Sequence, residues 1–314
     1  MNILVTGATG FVGNALCSRL ARDSNNVRAL VRSDTYKWEN VEVVVGALTD
    51  EATLASALSG IDCVVHLAGR AHQLSDDAAD PLVAFRAVNR DATLLLAKCA
   101  KAAGVKRFVF ISSIGVSGSS TTHAPFSESA PPAPHADYAI SKLEAEEGLL
   151  PLMSDNFEVV IIRPPLVYAA HAPGNFARLL KLVSLGVPVP FASLKNHRSM
   201  IALENLVDFI QLCTTHPAAA NELFLISDAV AVSTPDIFRC LARGMNKRLI
   251  MFPFPLTAMK LGARLLRKEA LYTQLCGSLV VDGGKAKALL GWEPVLTTEE
   301  ALVNAGKCYK QQRT

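Results

Sequence analysis

Tyr138 and Lys142 stand four residues apart in Tyr138-Ala139-Ile140-Ser141-Lys142. On a helix, side chains at that spacing share one face. An ammonium near a phenol favours tyrosinate and lowers the phenol's pKa from about 10 toward neutrality. Such a phenol can exchange a proton with an alcohol or sugar oxygen, a contribution of roughly 10² to 10⁴ in rate. Ser113 closes the run Lys106-Arg107-Phe108-Val109-Phe110-Ile111-Ser112-Ser113, at the carboxyl end of a predicted strand. It can hold the same oxygen. A Y-x-x-x-K spacing alone is common, so its weight depends on what precedes it in the chain.

What precedes it is Asn2-Ile3-Leu4-Val5-Thr6-Gly7-Ala8-Thr9-Gly10-Phe11-Val12-Gly13. Ile3 to Val5 is an unbroken apolar run, as a strand covered on both faces requires. Gly7 permits a tight turn. Gly10 permits close approach of a phosphate, and Gly13 lets the next helix lie against the strand. Free N–H groups and the helix dipole then favour a pyrophosphate. The dinucleotide fingerprint is usually G-x-G-x-x-G; here the first spacing is one residue longer. Residues Gly7, Thr9, Gly10, Phe11, Val12 and Gly13 are therefore candidate cofactor contacts.

The elements that must position these groups follow in alternation. Phe11 to Arg22 has helical spacing. Val27 to Arg32 reads as the second strand, and Val41 to Val45 as the third. Leu54, Ala57 and Leu58 mark a short helix. Asp62 to Gly69 is a fourth strand ending in small residues, so Leu67, Ala68 and Gly69 leave room for a ligand over the sheet. His66 reads as a packed strand histidine. Pro81 to Ala103 is one long helical pattern stopped by Gly104. The serine- and proline-rich stretch from Ser117 to Pro134 is a loop at the ligand end of the fifth strand. A helix from Ala136 to about Met153 and a strand from Glu158 to Arg163 follow. This alternation predicts an α/β fold with a doubly wound parallel sheet. Further on, Glu222 to Ile226 reads as a strand that could return to that sheet. Met251 to Arg267 is apolar with Lys260, Arg264 and Arg267 interspersed, and reads as a core or partner-facing helix rather than a membrane-surface one.

Cofactor choice is normally read at the end of the second strand, where a carboxylate accepts from both ribose hydroxyls of NAD. Here Val31-Arg32-Ser33 stands instead, with Asp34 beyond. Arg32 can clamp a 2′-phosphate. NADP(H) is favoured on this ground, with NAD possible if Asp34 turns inward.

Composition excludes several classes. Lys and Arg number 31 against 28 Asp and Glu, a net charge of +3 without a dense basic block, which argues against nucleic acid. The seven cysteines are scattered, with no C-x-x-C pair, as expected of reduced thiols in a cytoplasmic protein. The glycine turn lies so near Met1 that no cleaved signal is expected. No uncharged apolar run is long enough to span a membrane, so no membrane insertion is expected. No metal site is expected.

These residues resemble the extended short-chain dehydrogenase/reductase family, in its nucleotide-sugar epimerase, dehydratase and reductase branch. The matching stretches, in order, are the Thr6-Gly7-x-x-Gly10-x-x-Gly13 turn, Val65-His66-Leu67-Ala68-Gly69, Val88-Asn89 with Thr93, and Ser112-Ser113. Tyr138-x-x-x-Lys142, Arg163-Pro164-Pro165-x-Val167-Tyr168 and Leu289-Leu290-Gly291-Trp292-Glu293-Pro294 complete the series. The resemblance implies a Rossmann-like dinucleotide-binding domain over 1–168, with 195–228 returning to it. A smaller, helix-rich C-terminal substrate-binding domain would comprise 169–194 and 229–314. It implies Ser113, Tyr138 and Lys142 as the catalytic trio, with Lys142 also on the nicotinamide ribose and Pro165 beside the nicotinamide. Leu48, after the third strand, joins the cofactor set. Asn175 would contact a UDP-sugar and Arg198 its diphosphate; a helix N-cap and a solvated charge are their plainer readings. Homodimerisation through the helices around 92–102 and 136–153 is implied as well.

The chain departs from the family pattern in places. Ala139 replaces a glycine, Ser117 stands at a usual tyrosine position, Ala169 follows Tyr168, and Gly46-Ala47-Leu48 lacks the family's acid, although Asp50 is near. Two reactions share the trio. A 4-ketoreductase uses NADPH once per turnover on a UDP-4-keto-6-deoxy-N-acetylhexosamine destined for surface polysaccharide. A UDP-sugar 4-epimerase retains NAD. Arg32 favours the reductase. A dehydratase is disfavoured, since Ile114-Gly115 offers no acid pair. A non-catalytic NADP-sensing module is the reading from another class.

Overall fold

The computed structural model describes residues 1–23, 25–34, 36, 38–71 and 80–312. Its strands are β1 (Asn2–Thr6), β2 (Asn26–Val31), β3 (Val41–Val45), β4 (Cys63–His66), β5 (Arg107–Ile111), β6 (Glu158–Arg163), β7 (Leu166–Tyr168), β8 (Met200–Ala202) and β9 (Leu223–Leu225). Its α-helices are α1 (Phe11–Arg22), α2 (Glu51–Leu58), α3 (Pro81–Arg86), α4 (Ala92–Ala102), α5 (Asp137–Leu149), α6 (Gly174–Leu185), α7 (Leu203–Thr215), α8 (Thr234–Met245), α9 (Leu256–Leu265), α10 (Glu269–Cys276), α11 (Gly284–Leu290) and α12 (Thr298–Gln311).

The main sheet is parallel throughout, in the order β3-β2-β1-β4-β5-β6-β9, and β7 pairs with β8 separately. The apolar runs explain this. Ile3, Leu4 and Val5, like Phe108 to Phe110, have no exposed surface, because helices cover both faces. One core lies between the sheet and α1, α7 and α11. Another lies against α2, α4 and α5. A third, around Tyr168, Phe176 and Phe238, is built largely from α6, α8 and α12.

Strand order reverses between β1 and β4. The crevice beyond the carboxyl ends of those two strands is where open α/β sheets hold ligands. The glycine turn follows β1, and Leu67-Ala68-Gly69 follows β4, so both flank it.

One element departs from the sequence reading. The helical pattern from 81 to 103 is broken by a π turn over Ala87–Asp91. That extra residue per turn brings Asn89 fully inside, where its side chain reaches two neighbouring elements. The stretch 251–267, read as a core or partner-facing helix, has no fully buried residue in α9, while Met251 and Met259 pack half-buried against the third core.

Candidate active site

At the crevice the backbone is packed too tightly for side chains. Gly7 has φ of +69°, and a Cβ there would lie 2.5 Å from the Ala68 nitrogen. A Cβ on Gly13 would lie 2.2 Å from the Gly7 carbonyl oxygen. α1 therefore starts hard against β1. Gly10, its N-cap, offers no side-chain acceptor, and the first turn holds no acid. The leading N–H groups of α1 are thus open to an anion. Thr9, Phe11 and Val12 line the same turn, half-buried.

Ser113, Tyr138 and Lys142 gather on the β4–β5 side of this crevice. Lys142 is buried on α5; its Nζ donates to the Ile111 carbonyl (2.9 Å) and lies 4.5 Å from the centre of the Phe110 ring. A Cβ at Gly69 would stand 3.5 Å from that Nζ, so the ammonium sits between the ends of β4 and β5. Ser113 Oγ accepts from Gly115 N (3.1 Å), and Gly115 in turn abuts Ala139, next to Tyr138. Ile114 N bonds the Pro164 carbonyl (3.0 Å), which brings buried Pro165 to the same place.

The electrostatics correct one expectation. Tyr138 is not tuned toward neutrality: burial pushes its pKa up to about 12, with the Ser113 side chain acting in the opposite direction. Lys142 is lowered to about 8 by burial, with the Glu146 carboxylate opposing. One N–H of the ammonium donates to the Ile111 carbonyl, and desolvation is the largest effect on the phenol.

Other residues hold this arrangement, and spacing alone did not single them out. Asn89 Oδ1 accepts from Arg70 N (2.8 Å), while its Nδ2 donates to Ser141 Oγ (3.0 Å), which donates to the Tyr138 carbonyl (2.8 Å). Thr93 Oγ1 donates to the Asn89 carbonyl (2.8 Å) and bonds His66 Nε2 (2.8 Å), and His66 Nδ1 bonds Thr6 Oγ1 (2.6 Å). A buried polar chain thus runs from β1 to the backbone of Tyr138. Burial drives the His66 pKa down to about 3, so the ring is neutral. Arg163 forms a buried ion pair with Glu146 (2.5 Å), on which Ser112 Oγ also donates. Arg163 Nη1 reaches Ser117 (3.2 Å), the residue at the family's tyrosine position. Glu146 follows Lys142 by four residues, the spacing that could have revealed it.

The remaining candidates lie around this centre. Arg32 is exposed just beyond β2, with no side-chain partner among the described residues, and Asp34 is exposed too. Nearby, Tyr36 stacks on Trp38 (5.5 Å), whose Nε1 donates to Asn14 of α1 (2.7 Å). Leu48 packs half-buried against the core under α2. Asp50 is taken as the N-cap of α2, accepting from Ala52 N (3.2 Å). Asn175 is not an N-cap; Pro173 is, and Asn175 Nδ2 donates to Gln274 of α10 (2.6 Å). Arg198 donates to the Gly277 carbonyl just past α10 (3.2 Å), and no carboxylate pairs with it among the described residues. Burial lowers its pKa.

Residues 3–227 match the NAD dependent epimerase/dehydratase family. Along its whole length the chain is also 41% identical to a UDP-glucose 4-epimerase of Vibrio cholerae, covering 99% of this chain and 96% of the relative. The chain belongs to the NAD dependent epimerase/dehydratase family. It is an enzyme of the extended short-chain dehydrogenase/reductase type. Two solved structures share its fold at 22% identity. One is a short-chain dehydrogenase/reductase superfamily protein from Agrobacterium tumefaciens with bound NAD (TM-score 0.78, covering 100% of this chain and 98% of that one). The other is a UDP-glucose 4-epimerase from Thermotoga maritima with UDP-glucose (TM-score 0.77, both chains covered fully). The uncapped α1 and its glycine cradle fit the family's dinucleotide: a pyrophosphate needs N–H groups and room, and both are present. Among the described residues there is no cluster fit to hold a metal, and no helix is long and apolar enough to cross a membrane.

Proposed function

We propose that this enzyme reduces C4 of a UDP-4-keto-6-deoxy-N-acetylhexosamine with NADPH. The observation that carries the reading is the edge of β2. It ends in Val31-Arg32 without a carboxylate where the ribose hydroxyls of NAD need an acceptor, and Arg32 is exposed and uncommitted. A guanidinium there suits a 2′-phosphate. A cofactor consumed once per turnover suits a reductase. When bound, the nicotinamide supplies the hydride, delivered once in a reductase and taken and returned in an epimerase.

In this reading the cradle from Gly7 to Gly13 holds the pyrophosphate, Leu48 borders the adenosine end, and Leu67, Ala68 and Gly69 make room over β4. Lys142 holds the nicotinamide ribose beside Pro165. Tyr138 gives its proton to the C4 oxygen, which Ser113 positions. A phenol with a raised pKa holds that proton at neutral pH, as a donor must. Asn175 contacts the UDP-sugar, and Arg198 pairs with its diphosphate. We assign 1–168 with 195–228 to the cofactor domain, 169–194 and 229–314 to the substrate domain, and the cytoplasm as the compartment. A homodimer would form through α4 and α5.

The Vibrio cholerae relative favours a second reading, a UDP-sugar 4-epimerase with retained NAD. The assay separates the two. Loss of NADPH absorbance at 340 nm with the 4-keto sugar supports the reductase. Interconversion of UDP-glucose and UDP-galactose with NAD, without NADPH oxidation, supports the epimerase. Neither activity would leave a cofactor-binding module.

A further inference from the structure

The run from 247 to 268 presents a broad exposed apolar surface that nothing in the chemistry above uses. On α9, half-buried Met259 and Ala263 face inward one turn apart. Leu261 and Leu265, 60% and 76% exposed, stand one turn apart on the opposite face. Leu256 and Leu266, at the helix ends on the side of Met259, are exposed as well, and so are Phe252 and Phe254 just before α9. Lys260 and Arg264 lie four residues apart along its flank, and Lys247, Arg248, Arg267 and Lys268 border it. The run contains no acidic residue. None of these cations pairs with a carboxylate among the described residues.

Apolar side chains on the outer face with cations on the flank are the pattern of a helix lying in a lipid interface. We propose that α9 and its flanking residues dock on the surface of an anionic lipid bilayer. The leucines and phenylalanines enter the headgroup boundary, while the lysines and arginines pair with lipid phosphates and extend their stems over the apolar surface. A second copy of the chain fits this face worse, because a two-fold contact would set one uncompensated cationic rim against another. The docking is peripheral, since no described helix can cross a membrane. It bears on the reaction through α10, which packs beside α9 and carries Gln274, the partner of Asn175. A docked α9 therefore sets the substrate side of the enzyme close to the bilayer. The proposal stands whichever C4 reaction is performed.

Flotation of the full-length protein with phosphatidylglycerol-containing vesicles tests it, with phosphatidylcholine vesicles as control. Binding to the anionic vesicles that weakens with added salt is expected. Leu261→Asp with Leu265→Asp, and separately Lys260→Glu with Arg264→Glu, should each weaken binding by at least about tenfold. Circular dichroism and turnover of a soluble UDP-sugar should be unchanged in both. No flotation, equal binding to both vesicle types, or undiminished binding by both variants would overturn the proposal. So would a dimer, formed without vesicle binding, that the leucine variant abolishes.

Discussion

Tyr138 and Lys142 carry pKa values moved in opposite directions by one cause, the removal of both from water. Tyr138→Phe should cut turnover by about 10² to 10⁴ while leaving cofactor affinity intact, measured by 340 nm kinetics and by cofactor titration. Retained turnover would remove the phenol from the proton path. Arg32→Ala should weaken NADPH by about tenfold or more, the loss of a charge-assisted contact, and leave NADH little changed. Equal losses for the two would undo the 2′-phosphate assignment. The positions of these residues were legible, because the glycine turn, the strand-end serine and the Tyr138–Lys142 spacing fix where they stand around the crevice. The direction of the phenol's shift was not. Spacing puts a cation nearby, but it does not show that burial of the phenol outweighs it.

α5 joins the chemistry to the sheet. Tyr138, Lys142 and Glu146 fall at successive four-residue steps, so one face carries the phenol, the ammonium and the carboxylate that grips Arg163 on β6. Removing one partner of a buried pair strands a charge. Glu146→Gln should therefore destabilise by about 3–5 kcal/mol in urea unfolding. The double change Glu146→Met with Arg163→Met should recover much of that loss, and a double variant as unstable as the single one would refute the pairing argument. Strands were readable at this scale because apolar runs such as Ile3-Leu4-Val5 have few other uses. The π turn at 87–91 was not, since the helical spacing on each side of one inserted residue reads as a single helix. Asn89 makes its contacts with Gly69's neighbour Arg70 and with Ser141, and neither is close to it in sequence.

At the scale of the molecule, alternation of strand and helix announced the doubly wound sheet, whereas distant clasps stayed hidden. The loop after β5 is fixed by Thr121 N to the Ser278 carbonyl (2.9 Å) and Phe126 N to the Val280 carbonyl (2.8 Å), partners over 150 residues apart. Two buried groups elsewhere make the stability depend on pH. Lys142 has a pKa of about 8 when folded against 10.5 when free. Below pH 8 both states hold the proton, so the full cost of burying the charge, about 3 kcal/mol, is present. Between pH 8 and 10.5 the unfolded chain binds more protons, so stability rises with pH. His66, at about 3 against 6.5, acts in acid: its contribution is intact above pH 6.5 and is lost as pH falls toward 3. Lys142→Met should therefore abolish turnover yet stabilise the cofactor-free protein at pH 7, by about 2–4 °C in Tm for each kcal/mol gained. Loss of the bond to Ile111 subtracts from the gain equally at all pH values. The telling quantity is thus the difference between the two proteins at pH 7 and at pH 10, measured by denaturant unfolding. It should shrink at the higher pH, where the folded wild type has already shed the proton. A difference that stays constant would trace the gain to packing and leave the buried charge without effect on stability.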